Sequence, residues 1–283
     1  MTSIIYPPHV FVNGHFLPQE KASIPVNDLA VLRGYGVFDF FLLKNGLPLF
    51  FEDHWARLQQ SASTMNLAVP FSREDAQEML LALYTKMPYE LAGARITLTG
   101  GCSPDGYLPG DVANSLITLN PLAPFPQSLP EKGIGLMTHA NSRPFSKVKT
   151  IDYTMGILML PEAKRKGFQE LLYVQDGWVT ECPRSNLFAV SREDVLITPS
   201  EGVLEGITRK RVLKHAGLLI KTEVRPVHIQ ELLEAKEVFI TSTTKGIWTV
   251  GNIDGQIIGD GKPGKFSIML YDRLMAEMNK MIY

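Results

Sequence analysis

The sequence lacks several features that define whole classes of protein. Its 283 residues include only two cysteines, Cys102 and Cys182, which are too few for a disulfide framework and lack metal-site spacing. Nowhere do 18 apolar residues run together, so no membrane-spanning helix is predicted. The first residues, Met1–Pro8, show neither the basic region nor the apolar run of a secretory signal. These absences favour a cytoplasmic protein.

An excess of charge is also missing. The formal net charge is −1, and lysine and arginine are scattered along the chain, which argues against a nucleic-acid or membrane-surface partner. The glycine pair in Leu98–Gly101 is not part of a G-x-G-x-x-G turn, so a nicotinamide cofactor is not indicated. What is present is an apolar content of 45%, ample for the core of a folded protein.

The hydrophobic pattern predicts strands and helices in mixed order. Strands are predicted at 10–12, 15–17, 37–43, 47–51, 94–99, 115–119, 134–139, 170–174, 187–190, 195–197, 238–241 and 248–250. Asn13 and Gly14 predict a two-residue hairpin turn between the first two strands. Helices are predicted at 52–65, from Ser72 onward, and at 155–166, 208–215, 229–234 and 265–280. Ser72, with Asp75 three residues later, is predicted to cap its helix. Because the order shows no regular β-α-β alternation, an α+β fold is favoured over a doubly wound sheet.

One segment has the composition of a linker. Residues 121–130 contain four prolines in ten residues, which prevents a helix and favours an extended connection. The predicted organisation is therefore an N-terminal domain over residues 1–120 and a C-terminal domain over residues 131–283.

Lys149 is the first candidate for chemistry. It lies in a short polar stretch, Val148–Tyr153, between a predicted strand and an apolar helix. A lysine becomes a nucleophile when burial or a neighbouring cation depresses its pKa. The alternative is an ordinary solvated lysine, of which Lys147 is an example two residues earlier.

Glu181 is the second candidate. It opens the segment Glu181–Phe188, which also carries Ser185 and Asn186. A carboxylate against the ring nitrogen of pyridoxal phosphate keeps that nitrogen protonated, so that the ring accepts electrons from a substrate. The alternative is an exposed glutamate in a hairpin.

Three further segments have the residue types that bind phosphate: arginine, hydroxyl groups, and N–H groups at a helix amino terminus. Arg57 lies on the first long helix, where an ion pair with Asp53 is the alternative. Ile207 and Thr208 lie where a later helix begins, and Thr208 alone is equally typical of a helix cap. Thr243 and Thr244 lie in a hydroxyl-rich turn.

In this order along the chain, these pieces resemble the fold-type IV pyridoxal-phosphate aminotransferases, whose members include branched-chain and D-amino-acid aminotransferases. The resemblance implies a smaller N-terminal α/β sandwich and a larger C-terminal domain with a β-barrel-like core that carries Lys149, the Schiff-base lysine. It implies that Tyr153 contacts the phenolic oxygen of the cofactor and that Leu204 lies against its ring. It also implies that Glu181, Ser185 and Asn186 and the phosphate ligands Arg57, Ile207, Thr208, Thr243 and Thr244 bind the cofactor. A homodimer is implied, and no metal is.

The chain departs from the family pattern at two places. Cys182-Pro183-Arg184 replaces the small residues of the Glu-Gly-Ser-Ser-Ser-Asn signature. In the loop that lines the substrate pocket in the family, Arg33 stands where an aromatic residue is usual, and Asp39 replaces a glutamate.

These departures bear on the substrate. A planar guanidinium matches a carboxylate with two hydrogen bonds, so Arg33 and Arg95 are candidates for a carboxylate trap, with a structural salt bridge as the alternative for each. Phe38 and Phe40 supply apolar surface. The expected reaction is ping-pong transamination between an α-amino acid, either D- or branched-chain L-, and a 2-oxo acid. Elimination, as in aminodeoxychorismate lyase, and a non-catalytic descendant remain as alternatives.

Overall fold

A computed structural model describes residues 8–281 of the chain. Residues 1–7 and 282–283 lie outside the described part, and so does most of the segment on which the expectation about a secretory signal rests. None of the helices described is both long and apolar enough to cross a membrane. The chain divides into two compact units, and strands and helices are mixed in both, which is the predicted α+β class.

The first unit is an antiparallel sheet with helices. Its six strands lie in the order β2-β1-β6-β5-β3-β4. They are β1 (His9–Val12), β2 (His15–Pro18), β3 (Gly36–Lys44), β4 (Leu47–Pro48), β5 (Leu91–Thr99) and β6 (Ser115–Pro121). The helices are α1 (Leu29–Arg33), α2 (Phe51–Thr64) and α3 (Arg73–Lys86), with one 3-10 turn at Gln19–Lys21. The core of this unit joins one face of β3 and β5 to the apolar faces of α2 and α3.

Local sequence explains two of these elements. Asn13 and Gly14 both have positive φ, at 50° and 77°, as a two-residue turn between β1 and β2 requires. Ser72 begins α3 with a reciprocal capping box, in which the Ser72 side chain accepts from the backbone N–H of Asp75 and the Asp75 side chain accepts from that of Ser72. Both features were predicted from the sequence and are confirmed.

The second unit is a ten-stranded mixed sheet with four helices. Nine strands follow the order β12-β11-β10-β14-β15-β7-β8-β9-β13, and β16 pairs with β15. They are β7 (Ile134–Ala140), β8 (Glu170–Gln175), β9 (Trp178–Val179), β10 (Asn186–Val190), β11 (Val195–Thr198), β12 (Lys221–Val224), β13 (Val227–His228), β14 (Glu237–Ser242), β15 (Gly246–Ile253) and β16 (Gln256–Ile257). The helices are α4 (Thr154–Arg165), α5 (Ile207–Ala216), α6 (Ile229–Leu233) and α7 (Lys265–Lys280).

Some predicted elements were wrong in detail. The strand expected over 47–51 is only Leu47–Pro48, because Phe50 takes a left-handed conformation with φ 53° and α2 already begins at Phe51. Helix α1, which has five residues, was not predicted. Helix α5 begins at Ile207 with Gly206 as the N-cap, so the interpretation of Thr208 as the cap is wrong.

The division into units differs from the predicted domains in one respect. The first unit includes Val148–Asp152 as well as the chain up to Pro124, whereas the sequence placed Lys149 in the C-terminal domain. The cause is backbone pairing with β3. The N–H of Phe38 donates to the carbonyl of Lys149 at 2.9 Å, and the N–H of Ile151 donates to that of Gly36 at 3.1 Å.

Candidate active site

Lys149 in the first unit is held by main-chain and side-chain contacts. Its carbonyl accepts a hydrogen bond from the N–H of Phe38, and its own N–H donates to the hydroxyl of Ser61 on α2 at 3.2 Å. Its ammonium nitrogen lies 4.7 Å from the centre of the Phe38 ring. Lys149 is only partly buried, so the side chain combines a fixed backbone with access to solvent.

The Phe38 ring carries a second cation. The guanidinium carbon of Arg95 lies 4.0 Å from the ring centre. Arg95 pairs directly with Phe40 across β3 and β5, so Phe38 is its diagonal neighbour on the same face of the sheet. The structure therefore brings Lys149, Phe38 and Arg95 together. Arg33 does not lie in this cluster. It is exposed at the end of α1, and its guanidinium donates to the carbonyl of Leu32 at 3.0 Å.

Arg57 is fixed on the opposite face of β3. Its Nε and Nη2 atoms donate to the two carboxylate oxygens of Asp39, at 2.8 and 2.9 Å. The Nδ1 atom of His54 lies 2.7 Å from the same carboxylate. Asp39 and His54 are both almost completely buried, and neither had been singled out as a site residue from the sequence.

In the second unit, Glu181 is a buried carboxylate with a full set of donors. Its Oε1 atom accepts from Arg143 at 2.6 Å. Its Oε2 atom accepts from the N–H of Leu204 at 2.9 Å and from the side chain of Asn186 at 3.2 Å. The hairpin turn at Asp176 and Gly177, with φ 52° and 82°, leads the chain into this segment. The alternative of an exposed hairpin glutamate does not hold.

The hydroxyl of Ser185 has a lysine neighbour. Lys245 donates to Ser185 Oγ at 3.1 Å and to the buried carboxylate of Glu170 at 3.2 Å. Arg184 reaches Glu170 at 3.5 Å. Because a lysine ammonium only donates, Ser185 accepts here and keeps its own proton for another acceptor.

The remaining candidates in this unit lie at turns and helix ends. Ile207 and Thr208 occupy the first two positions of α5, whose N-cap Gly206 offers no side-chain cap. The first N–H groups of a helix lack intrahelical partners and attract anions. Thr243 and Thr244 form the turn between β14 and β15, and Tyr153 is the N-cap residue of α4.

Sequence reasoning missed four members of these clusters: Asp39, His54, Arg143 and Lys245. Asp39 was noted only as a departure from a family pattern, and His54 was not singled out as a site residue. A charged residue on a strand rich in apolar residues, with a histidine and an arginine one helical turn apart, is the signal that could have identified the first group. No comparable pattern marks Arg143 or Lys245.

The donors and acceptors present fit pyridoxal phosphate. The first unit offers a lysine amine and a guanidinium. The second offers a buried carboxylate, an uncapped helix amino terminus and hydroxyl groups. An amine matches the aldehyde, a carboxylate matches the pyridine nitrogen, and the other groups match a phosphate. Among the described residues, no group of three or more histidine, cysteine, aspartate or glutamate side chains is arranged for a metal ion.

Comparison with known families agrees with this chemistry. The model of the class IV amino-transferases matches residues 36–253, and the chain belongs to this family. It is a pyridoxal-phosphate-dependent aminotransferase of the fold-type IV class, in which the larger domain carries a curled half-barrel sheet.

The chain is similar to aminotransferases with different names. The chain is 30% identical to D-alanine aminotransferase of Bacillus licheniformis, over 90% of this chain and 92% of that one. It is 29% identical to a putative branched-chain-amino-acid aminotransferase of Methanocaldococcus jannaschii, over 93% and 94%. Among solved structures, the branched-chain amino acid aminotransferase of Escherichia coli superposes with a TM-score of 0.87. It is 25% identical, with 96% of this chain and 95% of that one covered.

Proposed function

We propose that Lys149 is the residue that bonds the cofactor and moves the proton in transamination. The observation that carries this assignment is its contact with the Phe38 ring beside Arg95, because an amine and a carboxylate-binding guanidinium on one ring suit an amino-acid substrate. Lys147, two residues earlier, is exposed and has no such neighbours among the contacts described.

When bound, pyridoxal phosphate supplies an electron-withdrawing ring that acidifies the α-carbon of the substrate amine. The amine of Lys149 would take the proton from that carbon and deliver it to the cofactor, and it would move a proton in the opposite direction during the second half-reaction. The carboxylate of Glu181 holds a proton at the pyridine nitrogen, while Asn186 and Leu204 orient this carboxylate.

The same proposal assigns the other contacts. Arg57 binds the phosphate, together with the N–H groups of Ile207 and Thr208 and the hydroxyls of Ser185, Thr243 and Thr244. The hydroxyl of Tyr153 bonds the phenolic oxygen, and Leu204 packs against the ring. The partly buried state of Lys149 and the fixed orientation of the buried Glu181 carboxylate support these roles.

Replacing Lys149 tests the assignment directly. Lys149→Ala removes the amine, and we expect loss of both turnover and the visible absorbance of the purified protein, since one group serves both. Lys147→Ala is the matched control and keeps both. A Lys149→Ala protein that still transaminates would overturn the proposal.

We further propose that the substrates are α-amino acids, of the D or the branched-chain L series, with 2-oxo acids as acceptors. Arg95 binds the substrate carboxylate, and Arg33 is a second candidate for this role. Phe38 and Phe40 give the substrate pocket an apolar wall. The names of the relatives, D-alanine and branched-chain aminotransferases, support both series. Absorbance scans of the purified enzyme during addition of L- and D-amino acids discriminate between them by showing which series converts the bound cofactor.

We propose a homodimer in the cytoplasm as the working form. The first unit exposes apolar side chains on α1 and on the loop that follows β5, which are Val31, Leu32, Tyr107, Leu108 and Val112. The loop and α1 are tied together, because the N–H of Leu29 donates to the carbonyl of Gly101 and that of Ser103 to the carbonyl of Asn27. The family resemblance implies a second copy of the chain as the partner, and we propose that this copy covers the exposed apolar surface.

A further inference from the structure

Two buried titratable groups of the first unit have no role in the mechanism above. Asp39 lies on β3 and His54 on α2, with 1% and 2% of their surfaces exposed. A buried charge is costly unless it is paired, so such residues persist where they serve a neighbour. Their neighbour is Arg57, one turn after His54 on the same helix.

The contacts fix the plane of the Arg57 guanidinium. Asp39 accepts from Nε and Nη2 in the two-point geometry that matches a carboxylate to a guanidinium. One hydrogen bond would leave the guanidinium able to rotate, whereas two hydrogen bonds also set the direction of its third nitrogen, Nη1. Asp39 itself is fixed by His54 and by the N–H of Phe40, which donates to its Oδ1 at 2.7 Å.

The charges of the cluster are consistent with this geometry. Burial alone would raise the pKa of Asp39, but Arg57 and His54 together outweigh it, and the pKa lies well below its usual range. Burial lowers the pKa of His54, and the positive charges of Arg57 and Lys149 act in the same direction against the attraction of Asp39. His54 is therefore neutral near pH 7 and donates from Nδ1 to the charged carboxylate.

We propose that Asp39 and His54 are positioning residues that hold the Arg57 guanidinium in the orientation needed to bind the phosphate of the cofactor. The inference rests on the proposed role of Arg57. It predicts that the two residues act on the phosphate alone and leave recognition of the aldehyde and the ring unchanged.

Loss of the Asp39 charge also has an opposite effect. Removing this negative charge by itself strengthens the attraction of Arg57 to an anion. The Arg57 side chain, however, is only 9% exposed, and a buried guanidinium that loses its carboxylate partner moves toward water. Loss of orientation therefore outweighs the gain in charge, and affinity for the phosphate falls.

The test compares two ligands that differ only in the phosphate. Full-length protein freed of cofactor is titrated calorimetrically with pyridoxal phosphate and with pyridoxal, and the ratio of the two dissociation constants is the phosphate preference. We expect Asp39→Asn to reduce this preference by about tenfold, the lower end of the range for partners that orient a binding residue. Asp28→Asn, which changes another fully buried carboxylate of the same unit, leaves the ratio unchanged.

A pair of variants at His54 tests the second residue. His54→Asn places an amide N–H near the position of Nδ1 and should keep most of the phosphate preference. His54→Leu fills similar space without a donor and should lose part of it, by roughly three- to tenfold, the effect expected for one ordinary hydrogen bond. This pair remains informative even if Asp39→Asn folds poorly, because the charged pair of Asp39 and Arg57 is left intact.

The variant Arg57→Met distinguishes failure of the proposed role of Arg57 from failure of the inference about Asp39 and His54. If Arg57→Met keeps the wild-type phosphate preference, the proposed role of Arg57 is wrong. If it loses the preference, while Asp39→Asn and His54→Leu each weaken pyridoxal phosphate and pyridoxal by the same factor, only the inference about positioning is overturned. In the Arg57→Met background, Asp39→Asn should have no further effect on the ratio, because the group that it positions is absent.

Discussion

Phe38 illustrates how one side chain serves two charged neighbours. Its ring lies under both the Arg95 guanidinium and the Lys149 ammonium, at 4.0 and 4.7 Å. An aromatic face attracts cations without neutralising them, by about 0.5–2 kcal/mol depending on burial. A carboxylate at this position would instead form ion pairs and compete with the substrate for Arg95. In the role proposed for Arg95, the aromatic ring orients the guanidinium without forming an ion pair with it.

This arrangement predicts a selective defect for Arg95. Arg95→Met should raise the KM for amino acids by about 10- to 100-fold, the equivalent of a lost charge-assisted contact of roughly 1.5–3 kcal/mol. Primary amines without a carboxylate should show no such change, because they lack the group that Arg95 binds. Steady-state kinetics with both substrate types measures this difference, and Arg73→Met on the exposed start of α3 is the control. An equal effect on amines and amino acids would contradict the role.

His54 also makes a prediction about pH. Its pKa in the folded protein is lowered from the usual value of about 6.5, so the unfolded chain takes up a proton that the folded chain does not. The contribution of His54 to stability is therefore complete above about pH 6.5 and declines as the pH falls toward the folded pKa. Asp39, whose pKa is also lowered, adds a decline below about pH 4.

Urea unfolding between pH 7.5 and 5 measures the His54 part. His54→Asn keeps an N–H donor but does not titrate, so its free energy of unfolding should change less steeply with pH than that of the wild type. The largest expected difference in slope is about 1.4 kcal/mol per pH unit, which corresponds to one proton. Parallel curves for the two proteins would show that His54 takes up its proton equally in both states.

Strand β3 organises the candidate site residues of the first unit. Alternate residues point to opposite faces, so Phe38 carries Lys149 and Arg95 on one face while Asp39 holds Arg57 on the other. At its start, one edge pairs with β5 and the other with residues 149–151. Gly36 stands at this point, where a β carbon would lie 2.6 Å from the carbonyl oxygen of Leu98 and 3.0 Å from the Ile151 side chain.

Substitution of Gly36 should therefore disturb the lysine segment. In Gly36→Ala the added methyl group meets backbone that cannot move aside, so either β5 or residues 149–151 must shift. We expect lower cofactor content and a loss of stability of about 1–3 kcal/mol, as for overpacked core sites. Gly217→Ala is the control, because its β carbon meets no atom closer than 3.6 Å. Absorbance of the cofactor and thermal unfolding of both variants provide the measurement.

The helices and strands also show how much of the fold could be predicted from the sequence. Regular periods located every helix of ten or more residues and most strands, and the Ser72 capping box fixed the start of α3. Some short elements, such as α1 and β9, were not predicted from the sequence. At the site, Lys149 and Glu181 were identified because family spacing marks them. Arg143 and Lys245 were not, since they reach Glu181 and Glu170 through pairings distant in sequence.

The exposed apolar patch of the first unit, on α1 and the loop that follows β5, predicts that the protein self-associates. Leu108→Asp places a charge on this patch and should weaken the homodimer, since a buried unpaired charge is costly. Sedimentation at several concentrations measures the effect. Leu218→Asp is a matched control, because it changes an exposed leucine of the second unit. A wild type that sediments as a monomer throughout would refute the proposed dimer.

The first unit is not one continuous stretch of sequence, because it takes up Val148–Asp152 from beyond Pro124. A chimera made by joining two homologous genes at the proline-rich segment would therefore combine β3 of one parent with residues 148–152 of the other. Exchange of the first unit as a whole requires three junctions, at Pro124 and on either side of Val148–Asp152. In recombination among relatives, residues 36–39 and 148–152 should thus be inherited together, although more than a hundred positions of sequence separate them.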